Sequence, residues 1–178
     1  MNAPTESNAK DGLPLVSLRP EEPGDEGFLF EVYASTRAEE LALTNWEQPM
    51  RLAFLNQQFN AMRRGYRSMF PEGEFSLICL DGQPVGRLVI NRSPAEIRVV
   101  DIVLLPANRN RGIGTQLIRR VCAEAVGVGK PLRLSVLINN RAGHWYRRLG
   151  FALNEERGIY DEMEWRPALD FTGISPTG

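Results

Sequence analysis

Residues 97–114, IRVVDIVLLPANRNRGIG, run from an apolar stretch through a short break into a glycine-rich turn that carries Arg109, Asn110 and Arg111 into Gly112, Ile113, Gly114 and Thr115. Glycines let a backbone come close to an anion, and the unpaired N–H groups at a helix start favour negative charge. The chemistry such a turn supports is the holding of phosphate. A P-loop would need Lys and then Ser or Thr directly after the last glycine, whereas Thr115 and Gln116 follow Gly114. A dinucleotide fingerprint would need a third glycine where Leu117 stands, and an acidic residue about 20 positions on; no Asp or Glu occurs between Glu124 and Glu155.

A second group of residues lies downstream: Asn139-Asn140-Arg141-Ala142, then Trp145-Tyr146-Arg147-Arg148-Leu149-Gly150-Phe151. The Arg109-x-x-Gly-x-Gly turn and this segment stand in order, separated by one helix and one strand. Together they resemble the two motifs of the GNAT superfamily of N-acetyltransferases. As a fold the resemblance covers roughly residues 15–165; the specific motifs lie within 104–151.

The resemblance implies acetyl-CoA as cosubstrate, no metal, and transfer of the acetyl group to a primary amine. Direct transfer in a ternary complex is expected, because neither motif holds a cysteine. It implies that Arg109, Asn110, Arg111, Gly112, Ile113, Gly114 and Thr115 hold the pyrophosphate. It implies too that Leu104 and Leu105 end a strand whose unpaired backbone groups bind the pantetheine amides and polarise the acetyl carbonyl. Asn139 either contacts the pantetheine arm or caps the following helix. Tyr146 shares a helical face with Ala142 and Leu149 and is the expected general acid. His144, two residues away on another face, is expected at the surface.

The general base stays open. Glu96 and Asp101 lie on the long strand with opposite parity, so a regular strand turns at most one of them into the cleft. Arg98 stands where the resemblance would put a direct carboxylate base. The acceptor pocket is expected from the first two helices, with Tyr33, Arg37, Glu40 and Trp46 as candidates beside Glu39, Phe59 and Tyr66, and from the last strands. Aromatic rings beside carboxylates suit an ammonium-bearing acceptor. The alternative to an enzyme is a non-catalytic acyl-CoA-binding regulatory module.

Composition sets the frame. At 178 residues, 43% hydrophobic and 24% charged, the chain reads as one soluble domain. Neither an apolar run long enough to span a membrane nor a signal-like start is present, so the cytoplasm is the expected compartment. Cys79 and Cys122 each sit in an apolar run and read as small buried residues. Within 104–153 nine Arg or Lys face one acid, Glu124, a balance of +8; with a net charge of −1 the remainder carries −9. The cations cluster around the two motifs rather than along one helix, which suits a compact polyanion better than nucleic acid. A homodimer is left open.

The elements that must position these residues follow from periodicity and turn signals. Strands are expected at 15–18, 75–80, 85–91, 96–104, 132–137, 151–153 and 160–165, and helices at 25–34, 49–66, 112–126 and 141–149. Asp81-Gly82 and Arg157-Gly158 are the expected hairpin turns, and Gly150 the expected helix stop. The order β-α-α-β-β-β-α-β-α-β-β is that of an α/β fold with a mixed, twisted sheet of about seven strands and helices on both faces. The resemblance implies that the fourth and fifth strands splay apart. The domain is expected over 14–165, between a disordered tail at 1–13 and a loose tail at 166–178.

Overall fold

The computed structural model describes residues 15–166. Apart from Arg166, both expected tails lie outside the described residues. The elements are β1 (Val16–Pro20), α1 (Glu26–Ala42), α2 (Gln48–Met69), β2 (Glu74–Leu80), β3 (Gln83–Arg92), β4 (Ile97–Leu104), α3 (Ile113–Val128), β5 (Leu132–Leu137), α4 (Arg141–Arg148), β6 (Ala152–Arg157) and β7 (Tyr160–Trp165). Their order is the one periodicity predicts. They build one seven-stranded sheet, β1-β2-β3-β4-β5-β7-β6, in which only β4 and β5 are parallel.

The strand alternation sorts the core into two layers. From β2, Leu77 and Cys79 meet Leu29, Tyr33, Leu41, Leu55 and Phe59 of α1 and α2. Ile78 and Leu80 turn to the opposite face, where Ile113, Leu117, Ile118 and Val121 of α3 and Tyr146 of α4 pack. Both cysteines are buried, and burial pushes the Cys122 thiol up to about 11, which leaves little thiolate at neutral pH.

α1 and β6 run furthest beyond the expected bounds. α1 continues to Ala42, because residues 35–42 hold no breaker and Leu41 extends its buried stripe. β6 reaches Arg157, although all of its residues are exposed. With no buried face it shows no apolar alternation, and its pairing to β7 defines it; the turn therefore falls at Gly158-Ile159, one residue later than expected. At the β2–β3 turn, Asp81 (φ 50°) and Gly82 (φ 80°) are both left-handed, as a type I′ turn requires.

β4 carries the irregularity that matters most. Against β3, Val89 pairs with Asp101 but Ile90 pairs with Val99, so Val100 is an extra residue, a β-bulge. The bulge reverses parity along the strand. Ile97 and Val99 point into the α3 layer, and beyond the bulge Ile102 and Leu104 pack against the same layer.

The cleft end of β4 is pressed against β3 at Gly86. A Cβ placed there would lie 2.2 Å from the Val103 carbonyl oxygen. Gly86→Ala must push the strands apart, and overpacking of this kind costs about 1–3 kcal/mol. Denaturant unfolding measures it; a variant as stable as the parent would show that the two strands do not meet this closely.

Candidate functional site: a cleft between two diverging strands

Only Ile97, Arg98 and Val99 of β4 pair with β5, through Leu132, Arg133 and Leu134. Beyond the bulge the two strands separate, and a cleft opens between residues 100–104 and 135–137. α3 and α4 stand along one side of it and α1 and α2 along the other. A bulge bends its strand and strengthens the local twist, which is the physical origin of the opening.

The backbone at the end of β4 divides between two partners. The Leu105 N–H donates to the Val85 carbonyl of β3 at 2.9 Å. Alternation along the strand turns the Leu104 carbonyl the other way, where it accepts a hydrogen bond from Arg109 Nε at 2.9 Å. Of the two leucines singled out from sequence, Leu104 lines the cleft and Leu105 does not.

The glycine turn forms the entrance to α3. Asn110 (φ 59°) and Gly112 (φ 80°) are both left-handed, and Gly112 is the N-cap without any side-chain cap. The first helical bond runs from the Gln116 N–H to the Gly112 carbonyl, so the N–H groups of Ile113, Gly114 and Thr115 have no partner within the helix. A Cβ at Gly112 would meet nothing within 4 Å, so the space in front of the turn is open. At Gly114 a Cβ would stand 3.3 Å from the Trp145 ring, whose indole N–H donates to Thr115 Oγ1 at 3.2 Å. Trp145 thus clamps α4 onto the start of α3, a role its place in the second motif does not announce.

Arg109 spans the cleft mouth. Besides Leu104, it donates from Nη2 to Ser35 Oγ of α1 at 3.3 Å. Arg111 is exposed and does not line the cleft. Asn139 sits in the turn before α4 at φ 67°. The N-cap of α4 is Asn140, whose Oδ1 accepts from the Ala142 N–H at 2.9 Å, and it is Asn140 that lines the cleft. The capping alternative raised for Asn139 is therefore corrected by one residue; two adjacent asparagines are indistinguishable until the turn fixes which one has extended backbone.

Tyr146 is 6% exposed and lines the cleft. Its ring packs between Trp145 at 4.7 Å and Phe151 at 5.5 Å. Its hydroxyl has no hydrogen-bond partner among the described residues. Burial first, and the charge of Asp101 second, hold the phenol well above its ordinary pKa, so it stays protonated through the neutral range. His144 is exposed at the rim, between Arg141 and Arg148.

The bulge also decides the carboxylate question. Regular parity would separate Glu96 from Asp101; the extra Val100 removes that separation, and distance along the strand then distinguishes them. Glu96 accepts from Arg98 at 2.7 Å and from Arg133 at 2.8 Å, outside the cleft. Arg98 also reaches Glu162 at 3.0 Å, so its charge is spent within this network. Asp101 lines the cleft. Its Oδ2 accepts from Arg87 Nε at 2.7 Å, and Arg87 is buried. Burial raises the Asp101 carboxyl above the usual range, against the pull of Arg87.

Four acceptor-side candidates are not at the cleft wall. Tyr33 is buried against Phe59, 5.7 Å between rings. Arg37 pairs with Glu40 at 2.8 Å and stacks over Phe54, which also meets Trp46 edge-on at 5.2 Å. The reason is helical period: Tyr33, Arg37 and Glu40 share one stripe of α1, turned to α2, while Ser35, Thr36 and Glu39 share the stripe that lines the cleft. Tyr66 of α2 and Tyr160 at the start of β7 join them.

Comparison with known proteins agrees with this geometry. Residues 71–153 match the sequence model described as an acetyltransferase (GNAT) domain. An uncharacterised N-acetyltransferase of Schizosaccharomyces pombe is 27% identical over 90 residues, 50% of this chain and 62% of that protein. The match thus spans less than two thirds of that relative's length. The PaiA N-acetyltransferase of Thermoplasma acidophilum, solved in complex with coenzyme A, superposes with a TM-score of 0.64 at 18% identity, covering 86% of this chain and 99% of that one. An acetyltransferase of Thermus thermophilus gives 0.61 at 22% identity, over 85% and 96%. No helix among the described residues is long and apolar enough to cross a membrane. Residues 71–153 are thus similar to an acetyltransferase (GNAT) domain, and the sheet, open between β4 and β5, has the fold of these acetyltransferase structures.

Proposed function

We propose that this protein transfers an acetyl group from acetyl-CoA directly to a primary amine. The observation that carries the reading is the arrangement of one cleft: an uncapped helix N-terminus at one end and, within it, the buried Tyr146 side chain, whose hydroxyl has no partner among the described residues. The residues present fit the cosubstrate. The open space before Gly112 and the free N–H groups of Ile113, Gly114 and Thr115 suit a pyrophosphate, and Arg109, Arg141 and Arg148 supply positive charge around it. Acetyl-CoA, when bound, brings a thioester whose carbonyl an amine can attack.

The chain's own groups then have distinct tasks. The diverging end of β4, with its cleft-facing backbone at Leu104, orients the donor arm alongside Asn140. Asn139 supports the turn from which Asn140 projects. Tyr146 gives its proton to the sulfur as the carbon–sulfur bond breaks; its raised pKa keeps that proton available at neutral pH. Asp101 is the carboxylate in the cleft able to take the proton the amine loses. Arg87 holds it in place.

The test is release of free thiol from acetyl-CoA across a panel of primary amines. Amine-dependent release supports the enzyme. Binding of acetyl-CoA with no release for any amine would identify a non-catalytic acyl-CoA-binding module instead.

A further inference from the structure

The two sides of the cleft carry opposite charge. The α3–α4 side presents Arg109, Arg141 and Arg148. The α1–β4 side presents Glu39 and Asp101, with Tyr66 close by. Burial, and after it the charge of Asp101, pushes the Tyr66 phenol up to about 12. Arg87, the cation behind this side, is buried and bonded to Asp101. Arg109 reaches over only to Ser35, with its Nε on the Leu104 carbonyl. Tyr146, 6% exposed and with a hydroxyl that has no partner among the described residues, lines the same space.

An amine reaches such a site as an ammonium ion at neutral pH. Glu39 at the exposed mouth and Asp101 deeper in attract it, and the phenol rings offer it π faces. A carboxylate or phosphate on the carbon next to the amine would face the same two acids, with no free cation among the described residues that line the α1–β4 side. That is discrimination by repulsion as well as by attraction. We propose that the acceptor is an amine with no carboxylate or phosphate beside the reacting nitrogen, and that Glu39 and Asp101 select it. This rests on the acetyltransferase reading and narrows its substrate class: ω-amines and lysine-like amines fit, free α-amino acids do not.

Three probes of one shape separate charge from size: phenethylamine, phenylalanine and phenylalanine amide, assayed by thiol release from acetyl-CoA. The expected kcat/KM for the amine and the amide exceeds that for the acid by about tenfold or more, the effect of one like charge at a partly screened site, and the gap narrows with added salt. Glu39→Lys is exposed and should fold normally. It is expected to raise kcat/KM for phenylalanine and lower it for phenethylamine, while the rise in melting temperature produced by CoA stays unchanged. A merely structural residue would not exchange the two substrates. Equal turnover of acid and amide, or a ratio unmoved by Glu39→Lys, overturns the acceptor assignment alone. Stabilisation by acetyl-CoA with no thiol release for any probe or any amine of the panel overturns the acetyltransferase reading, and the acceptor assignment with it.

Discussion

Tyr146→Phe is expected to lower kcat by roughly 10²–10⁴-fold, with little change in affinity for CoA. The substitution removes one oxygen and keeps the ring between Trp145 and Phe151, so the packing of α4 should survive. Because the hydroxyl has no partner among the described residues, its removal strands no other polar group. That separates this variant from the usual buried-tyrosine case, in which a lost hydrogen bond lowers stability. A melting temperature close to the parent's together with a collapsed kcat is the expected signature. The loss should shrink with an acyl donor whose thiol is more acidic, since a better leaving group needs less protonation. Burial keeps the phenol protonated well beyond its ordinary pKa, so Tyr146 should add no alkaline limb to the rate profile in the neutral range. A variant with normal kcat would remove Tyr146 from catalysis and leave protonation of the thiolate to water.

Gly112→Val is expected to abolish stabilisation by CoA. A ligand at 100 times its dissociation constant adds about 2.7 kcal/mol to the folded state, so the parent's melting temperature should rise clearly and the variant's should not. Two effects act together. A β-branched residue is strained at φ 80°, which lowers the variant's own stability by about 1–2 kcal/mol. Its side chain also projects into the space that the turn leaves open, where nothing lies within 4 Å of a Cβ. Arg111→Ala is the informative comparison. Arg111 is exposed and off the cleft wall, so its loss should weaken CoA far less. If Gly112→Val binds CoA as the parent does, the turn is not the phosphate cradle.

Local chemistry was legible in the sequence by itself. The glycine turn is a backbone device: Asn110 and Gly112 adopt left-handed conformations that their residue types permit, and the helix start needs no distant partner to leave its N–H groups free. The element order is similarly local, since helical stripes and strand alternation show in a window of a dozen residues. The inward direction of Tyr146 follows from its spacing to Ala142 and Leu149. β6 escaped this logic because an exposed edge strand carries no apolar pattern; only its ladder to β7 makes it a strand.

The acceptor half of the site was decided by tertiary structure. Choosing Ser35, Thr36 and Glu39 over Tyr33, Arg37 and Glu40 depends on which stripe of α1 meets α2, and that is set by Phe59 and Leu55 packing beneath it. Whether Asn139 or Asn140 caps α4 depends on a turn closed by the Asn140 N–H on the Leu137 carbonyl and held in place by the Ile138 N–H on the Ile159 carbonyl, a contact between segments far apart in the chain. The carboxylate in the cleft depends on one extra residue at Val100. A bulge is a mismatch between two strands, so no reading of β4 alone reveals it; it exists only in register with β3. Period-two parity held for each half of β4 and failed across the bulge. That single shift both opens the sheet beyond Val99–Leu134 and turns Asp101 to the face of the cleft; Glu96 lies before the opening and stays outside it. The sequence by itself determined the glycine turn and the helix that carries Tyr146, because backbone conformation and helical period are local. Tertiary structure alone decided which acids and rings face them, because register and helix rotation are set by partners distant along the chain.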